Sequence, residues 1–389
     1  MDRESILDKV KNLSKSNPNI ILQFATGTGK SKCALSLIDY WQAKKILLCV
    51  AETAHKTNWK KEFIKWKVDI PDNLVIITYQ SLHKYENTSW DLIIFDEAHH
   101  LNTDKRLMIL STLKANNIVA LSATLTDDCK NALNTSTKKR FYVYTITLKD
   151  AIENDILPSP ELKIVPLTLN NTIRSQSYDI TYGNSSIKKV FECNYPNRWD
   201  YMAKAFKLKN PNSKIIVRCT EFEKYTIIDE KCNYYKRMYN NMHSDRYLQS
   251  MLRAGLERKR YLGDLKTEAV RSILSTLTKK KTICFCSSII QAMCINDKCA
   301  IYSGKPNSQY LIDKFDKGEI KQLLMVNMLK EGQNLNNVEA SIITQLDGTT
   351  LAFIQKVGRV LRAIDPIQYI LYYKNTRDEE YLEKALQNF

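Results

Sequence analysis

The sequence predicts an α/β protein built as two tandem domains, each a doubly wound parallel sheet, with a basic insertion in the second. Three observations carry that reading. Short apolar runs alternate with helix-forming stretches along both halves, a glycine turn joins the first run to a helix, and an acidic pair closes a later run. A chain of 389 residues with 44% hydrophobic content suits two domains of ordinary size plus extra material.

The first apolar run, Ile20-Ile21-Leu22-Gln23-Phe24, reads as a buried strand, and Lys30 to Trp41 reads as a helix. Between them Ala25-Thr26-Gly27-Thr28-Gly29-Lys30-Ser31 has the strand–turn–helix context of a phosphate-binding loop. Gly27 and Gly29 let successive backbone N–H groups converge on phosphate oxygens, and the helix start adds partial positive charge. Lys30 is placed to reach the outer phosphates, and the Ser31 hydroxyl to hold the accompanying magnesium. The general phosphate-loop pattern has a further glycine where this chain has Phe24.

Strands are predicted at 45–50, 74–78, 91–95 and 117–121. The third ends in Asp96-Glu97-Ala98-His99, so two carboxylates emerge at the sheet's carboxyl edge, where doubly wound sheets place ligands. Asp96 suits the magnesium shell, and Glu97 suits orienting and deprotonating an attacking water. Far downstream, Gln355-Lys356-Val357-Gly358-Arg359-Val360-Leu361-Arg362 places two arginines three apart, on one helical face. Presented to a γ-phosphate from a second domain, they would serve as arginine fingers. Three such pieces in this order describe a motor driven by ATP hydrolysis.

A short helix at 148–153, stopped by Leu157-Pro158-Ser159-Pro160, precedes the alternating run Leu162 to Leu167, read as the first strand of the second domain. Strands at 282–286, 299–302, 323–327 and 341–345 continue it. An insertion at about 168–260 separates these. Residues 186–262 carry 17 Lys and Arg against 8 Asp and Glu, a large part of the chain's net charge of +16. Aromatic residues including Tyr195, Trp199, Tyr201, Tyr225, Tyr234 and Tyr239 interleave with the lysines. Basic groups grip phosphates and aromatic faces stack on unpaired bases, although these aromatics could equally form the insertion's own core. A predicted helix over 244–262 bears Arg246, Arg253, Arg258, Lys259 and Arg260. Charge of this sign and size points to a polyanionic partner, nucleic acid, and no basic amphipathic helix stands out for a membrane surface.

The ten cysteines lack paired Cys-x-x-Cys zinc spacing, and the densest group, Cys284, Cys286, Cys294 and Cys299, includes a strand-like pair read as buried thiols. No stretch approaches the roughly 18 apolar residues of a membrane span, and the start Met-Asp-Arg-Glu-Ser is too polar for a secretory signal, so the expected location is the cytoplasm.

On these motifs the chain resembles the superfamily 2 helicases and translocases, in their DEAH-box branch. Ser122-Ala123-Thr124, Glu331-Gly332-Gln333-Asn334-Leu335, Thr78-Tyr79-Gln80-Ser81-Leu82 and Asn58-Trp59-Lys60-Lys61-Glu62-Phe63 add to the likeness. The resemblance implies two RecA-like domains, at 1–147 and 148–389, using ATP and magnesium. It implies that Thr26, Gly27, Thr28, Gly29, Lys30, Ser31, Asp96 and Gly332 bind the nucleotide, and that Gln355 helps position the hydrolytic water beside Glu97, Arg359 and Arg362. Ser122 and Thr124 would couple ATP state to domain closure, and His99 or His100 would link the carboxylates to the strand-contacting side, with Thr78 among the nucleic-acid contacts. Relatives read adenine with an upstream glutamine, absent from residues 1–22 here; Arg3 is a candidate substitute. The insertion looks similar to those of phage and restriction-system helicases, which makes DNA the expected track ahead of RNA. A duplex translocase that does not separate strands, and an ATP-gated binding protein without turnover, are the alternative readings.

Overall fold

The computed structural model describes residues 2–180, 189–193, 213–326, 335, 337–346, 363 and 365–387. Its first sheet has six parallel strands: β1 (Asn19–Phe24), β2 (Lys45–Val50), β3 (Asn73–Thr78), β4 (Ser89–Asp96), β5 (Lys114–Ser122) and β6 (Tyr142–Ile146). Their order is β3-β2-β4-β5-β1-β6. Alternation sends Leu22, Leu48, Ile94 and Leu121 to one face and Ile21, Leu47, Ile93 and Ala120 to the other. Both faces are covered. On the first lie the apolar stripes of α1 (Arg3–Ser16), α2 (Lys30–Tyr40) and α3 (Thr53–Trp66). The second is closed by the 3-10 turns Tyr79–Tyr85 and Ala98–Leu101 with α4 (Asp104–Leu110) and Leu133 of α5 (Asp127–Thr137). This two-sided burial is why the strands read as nearly continuous apolar runs.

After α6 (Leu148–Glu153), whose Thr147 and Asp150 form a reciprocal capping box, β7 (Glu161–Leu167) enters a second sheet. That sheet also has six parallel strands, in the order β12-β13-β11-β14-β15-β7. Its members are β11 (Thr282–Phe285), β12 (Ala300–Tyr302), β13 (Gln322–Val326), β14 (Ala340–Ile343) and β15 (Ile367–Tyr373). The sequence-predicted strands therefore stand within three residues at every end, while β6 and β15 are additional. Cys284 and Cys286 are buried on β11 and just beyond it, as their strand-like setting implies.

Within the predicted insertion, β8 (Arg174–Ile180), β9 (Lys189–Cys193) and β10 (Ser213–Cys219) form a separate mixed sheet, β8-β10-β9. It leads into two long helices, α7 (Glu221–Met242) and α8 (Asp245–Leu265), and then α9 (Thr267–Thr276). The remaining described helices are α10 (Ile289–Asn296), α11 (Ser308–Lys317) and α12 (Arg377–Leu386).

The end of α8 is fixed to the second sheet by a buried polar network. A side chain at Gly263 would overlap Ser287, so glycine permits the approach. Gln291 accepts from the Ser287 backbone N–H at 2.8 Å and donates to the Gly263 carbonyl. Lys266, 1% exposed, donates to Asp378 Oδ2 at 2.6 Å and to the Thr344 carbonyl at 2.7 Å. Among the described residues no helix is long and apolar enough to cross a membrane.

Candidate nucleotide site

The carboxyl edge of the first sheet gathers most of the expected residues. β1 runs into the glycine turn, where Gly27 and Gly29 hold φ of 91° and 102°, values that favour glycine. Gly29 is the N-cap of α2 and supplies no side-chain cap to the first amides of the helix. A Cβ built on Gly29 meets nothing within 4 Å, which shows open space there. The buried Thr28 hydroxyl donates to the Ala25 carbonyl at 2.7 Å and stiffens the turn. Lys30 Nζ donates to the Phe24 carbonyl at 2.9 Å, arching back over the loop. Ser31 follows in the first turn of α2, and Thr26 is half-buried in the loop.

Asp96 ends β4, which is separated from β1 only by β5. Two strand spacings put the acidic pair roughly 10 Å from the strand that feeds the loop. Register places Asp96 level with Leu121, and Gln23 level with Ser122. Glu97 takes a left-handed backbone, φ 51°, a conformation uncommon for a residue other than glycine. His99 stands between Glu97 and the end of β5: its Nδ1 is 3.5 Å from Glu97 Oε2 and 3.3 Å from Ser122 Oγ. Ser122 Oγ in turn donates to the Thr124 carbonyl at 2.6 Å. Glu97, His99, Ser122 and Thr124 thus form one connected chain across adjacent strand ends.

Asp96 has two partners that sequence reasoning did not assign. Trp59 Nε1 of α3 donates to its Oδ2 at 2.8 Å, and the Tyr79 hydroxyl donates to its backbone carbonyl at 2.7 Å. Burial, reinforced by Cys49, Asp96 and Glu97, pushes the Tyr79 hydroxyl well above its ordinary pKa and keeps it a donor. Trp59 and Tyr79 lie in segments singled out only by resemblance. The usable signal was the row His55, Trp59, Phe63, which sets an indole N–H on the helix's buried face.

The oxygen donors of Ser31 and Asp96 fit a hard divalent cation such as magnesium, and the open glycine turn fits a polyphosphate. Arg3, the candidate adenine reader, donates to the Ile156 carbonyl at 3.4 Å. Gly332, Gln355, Arg359 and Arg362 lie outside the described residues.

On α8, Arg253 and Arg260 are exposed and one face apart by seven residues, with Lys259 half-buried beside them. Arg258 differs from the expectation of a strand contact. It shares the buried row of Ala254 and Leu262, is 6% exposed, pairs with Asp229 of α7, and donates to the Tyr381 hydroxyl at 3.1 Å. Its position in the four-residue repeat points it inward, where a charge needs a partner. Thr78 closes β3 half-buried, its hydroxyl 3.5 Å from that of Ser81. Of the insertion's aromatics, Tyr225 is buried in a small core and Tyr234 is exposed, while Tyr195, Trp199 and Tyr201 lie outside the described residues.

Two parallel six-stranded sheets in tandem, the first with a glycine loop and an acidic pair on its carboxyl edge, define the tandem RecA-like class. Residues 1–127 match the type III restriction enzyme res-subunit family, and residues 263–364 match the helicase conserved C-terminal domain. The two matched domains are those of a superfamily 2 helicase related to restriction-type enzymes. It is 22% identical over 388 residues to the DNA 3'-5' translocase XPB2 of Sulfurisphaera tokodaii, covering 93% of this chain and 79% of that protein. The Hef helicase domain of Pyrococcus furiosus has the same fold, with a TM-score of 0.52 and 14% identity over 99% of this chain and 97% of that one.

Proposed function

We propose that the protein is an ATP- and magnesium-dependent motor of the DEAH type that moves along nucleic acid, DNA first of all. The observation that carries this is the shared edge of β1, β5 and β4, where the glycine turn, Ser122 and the Asp96–Glu97 pair sit side by side. On this reading the turn and the first amides of α2 bind the phosphates, and Lys30 leaves the Phe24 carbonyl for the outer phosphates. Magnesium, held by Ser31 and Asp96, would neutralise charge on the phosphates. Glu97 orients a water and accepts its proton. His99, bridging Glu97 to Ser122, passes the state of that carboxylate to the end of β5. Arg359 and Arg362 supply charge from the second domain, Gln355 orients water and Gly332 approaches the nucleotide.

The net charge of +16 and the similarity to an archaeal protein described as a DNA translocase support DNA as the track. Movement on duplex without strand separation is the second reading, since the motor residues named above would serve either activity. Strand-displacement and triplex-displacement assays, run side by side on DNA and RNA, decide it. Displacement of a triplex strand with no duplex separation selects the translocase; ATP-driven displacement of neither kind on any substrate refutes the motor.

A further inference from the structure

Asp96 is held by donors from two separate segments, α3 and the 3-10 turn after β3. The Trp59 indole N–H takes one lone pair on Oδ2 and sets the rotation of the carboxylate. The Tyr79 hydroxyl fixes the backbone carbonyl that carries it. Both donors are 3% exposed, so water is a poor substitute for either. Tyr79 is itself held in place: its ring stacks on Phe95 at 6.4 Å and 18°, and the Arg106 guanidinium lies 5.7 Å above it.

The opposite face of α3 is different in kind. Lys60, Lys61 and Lys65 are exposed there, and Glu62 is the helix's single acidic residue. A polyanion backbone lying against that face would pull on the helix whose buried side holds Asp96. A hydrogen bond of 2.8 Å tolerates little displacement: a shift of about 1 Å takes it beyond bonding range. We infer that Trp59 and Tyr79 are positioning residues that set the metal affinity of Asp96, and that through Trp59 this affinity responds to nucleic acid loaded on the lysine face of α3. The inference rests on Asp96 being a metal ligand, as proposed above.

The test is a Mn2+ titration of the full chain with a non-hydrolysable ATP analogue, free Mn2+ being read by electron paramagnetic resonance, with and without a single-stranded oligonucleotide. Partners of ligating groups typically change metal affinity by about 10–100-fold. Trp59→Phe keeps the ring and removes the N–H; it should weaken Mn2+ binding about tenfold and abolish the change caused by the oligonucleotide. Tyr79→Phe loses one oxygen, keeps its stack on Phe95, and should weaken Mn2+ binding less. Nucleotide affinity measured in EDTA should stay at the wild-type value in both. Wild-type Mn2+ affinity in both variants, alongside its loss in Asp96→Ala, overturns the inference and leaves the site assignment standing. Wild-type affinity in Asp96→Ala overturns the metal-ligand reading itself.

Discussion

Lys266→Met should destabilise the second domain strongly. Lys266 Nζ lies 2.6 Å from Asp378 Oδ2 with side-chain exposures of 1% and 8%, and it also donates to the Thr344 carbonyl at 2.7 Å. Methionine keeps much of the stem volume and leaves a buried carboxylate with its cation gone. Removing one member of a buried pair costs about 3–5 kcal/mol, because the remaining charge stays desolvated. For a domain of about 150–250 residues each kcal/mol shifts the midpoint by about 2–4 °C, which gives a fall of roughly 6–20 °C. Thermal unfolding of the full chain followed by circular dichroism measures it. The double variant Lys266→Met/Asp378→Leu should recover most of the loss, since removing both charges removes the desolvation term as well. A single variant melting within about 2 °C of wild type, or a double variant as unstable as the two singles added, refutes the reasoning. Turnover should fall in the single variant too. Thr344 follows β14 and stands three residues before the segment 347–362 that contains the paired arginines.

Arg359→Ala and Arg362→Ala should each lower ATP turnover by about a thousandfold while DNA affinity changes little, because their target is the γ-phosphate; weak DNA binding with normal turnover at saturation would make them strand contacts. Neutralising Arg253, Lys259 and Arg260 together should weaken DNA binding and reduce the log–log salt slope by up to about 0.9 per lost phosphate contact, at nearly unchanged melting temperature. An unaltered slope would place these residues on an ordinary solvated helix face. Arg258→Met, by contrast, should lower the melting temperature and leave the salt slope alone, since its guanidinium is taken up by Asp229 and Tyr381; a changed slope at full stability contradicts that division of roles.

The legibility of this chain varied with how local each signal is. The glycine turn and the acidic pair could be read because each requires particular residue types at a strand end, and the buried parallel strands advertise themselves as apolar runs. β6 and β15 escaped notice: Tyr142-Val143-Tyr144-Thr145-Ile146 carries polar and exposed positions, and in Ile367–Tyr373 a fully buried Gln368 interrupts the apolar pattern. Arg258 reads like its exposed neighbours because a run of charges looks uniform in sequence. The helix repeat that places it over Ala254 and Leu262 becomes decisive only when α7 and α12 are seen beneath it. The same holds for Lys266 and Asp378, 112 residues apart, and for Trp59 and Asp96, 37 apart. Those pairings are properties of tertiary packing, and nothing in a linear window marks them.

Steady-state phosphate release, with and without DNA, in wild type and Glu97→Gln, tests the central claim most directly. Glutamine keeps the shape of Glu97 and removes its basicity. Wild type should hydrolyse ATP slowly alone and faster with DNA, while Glu97→Gln should bind nucleotide normally and lose turnover by about 10²–10⁴-fold. Turnover indifferent to any nucleic acid, or a Glu97→Gln variant hydrolysing at the wild-type rate, would contradict the account.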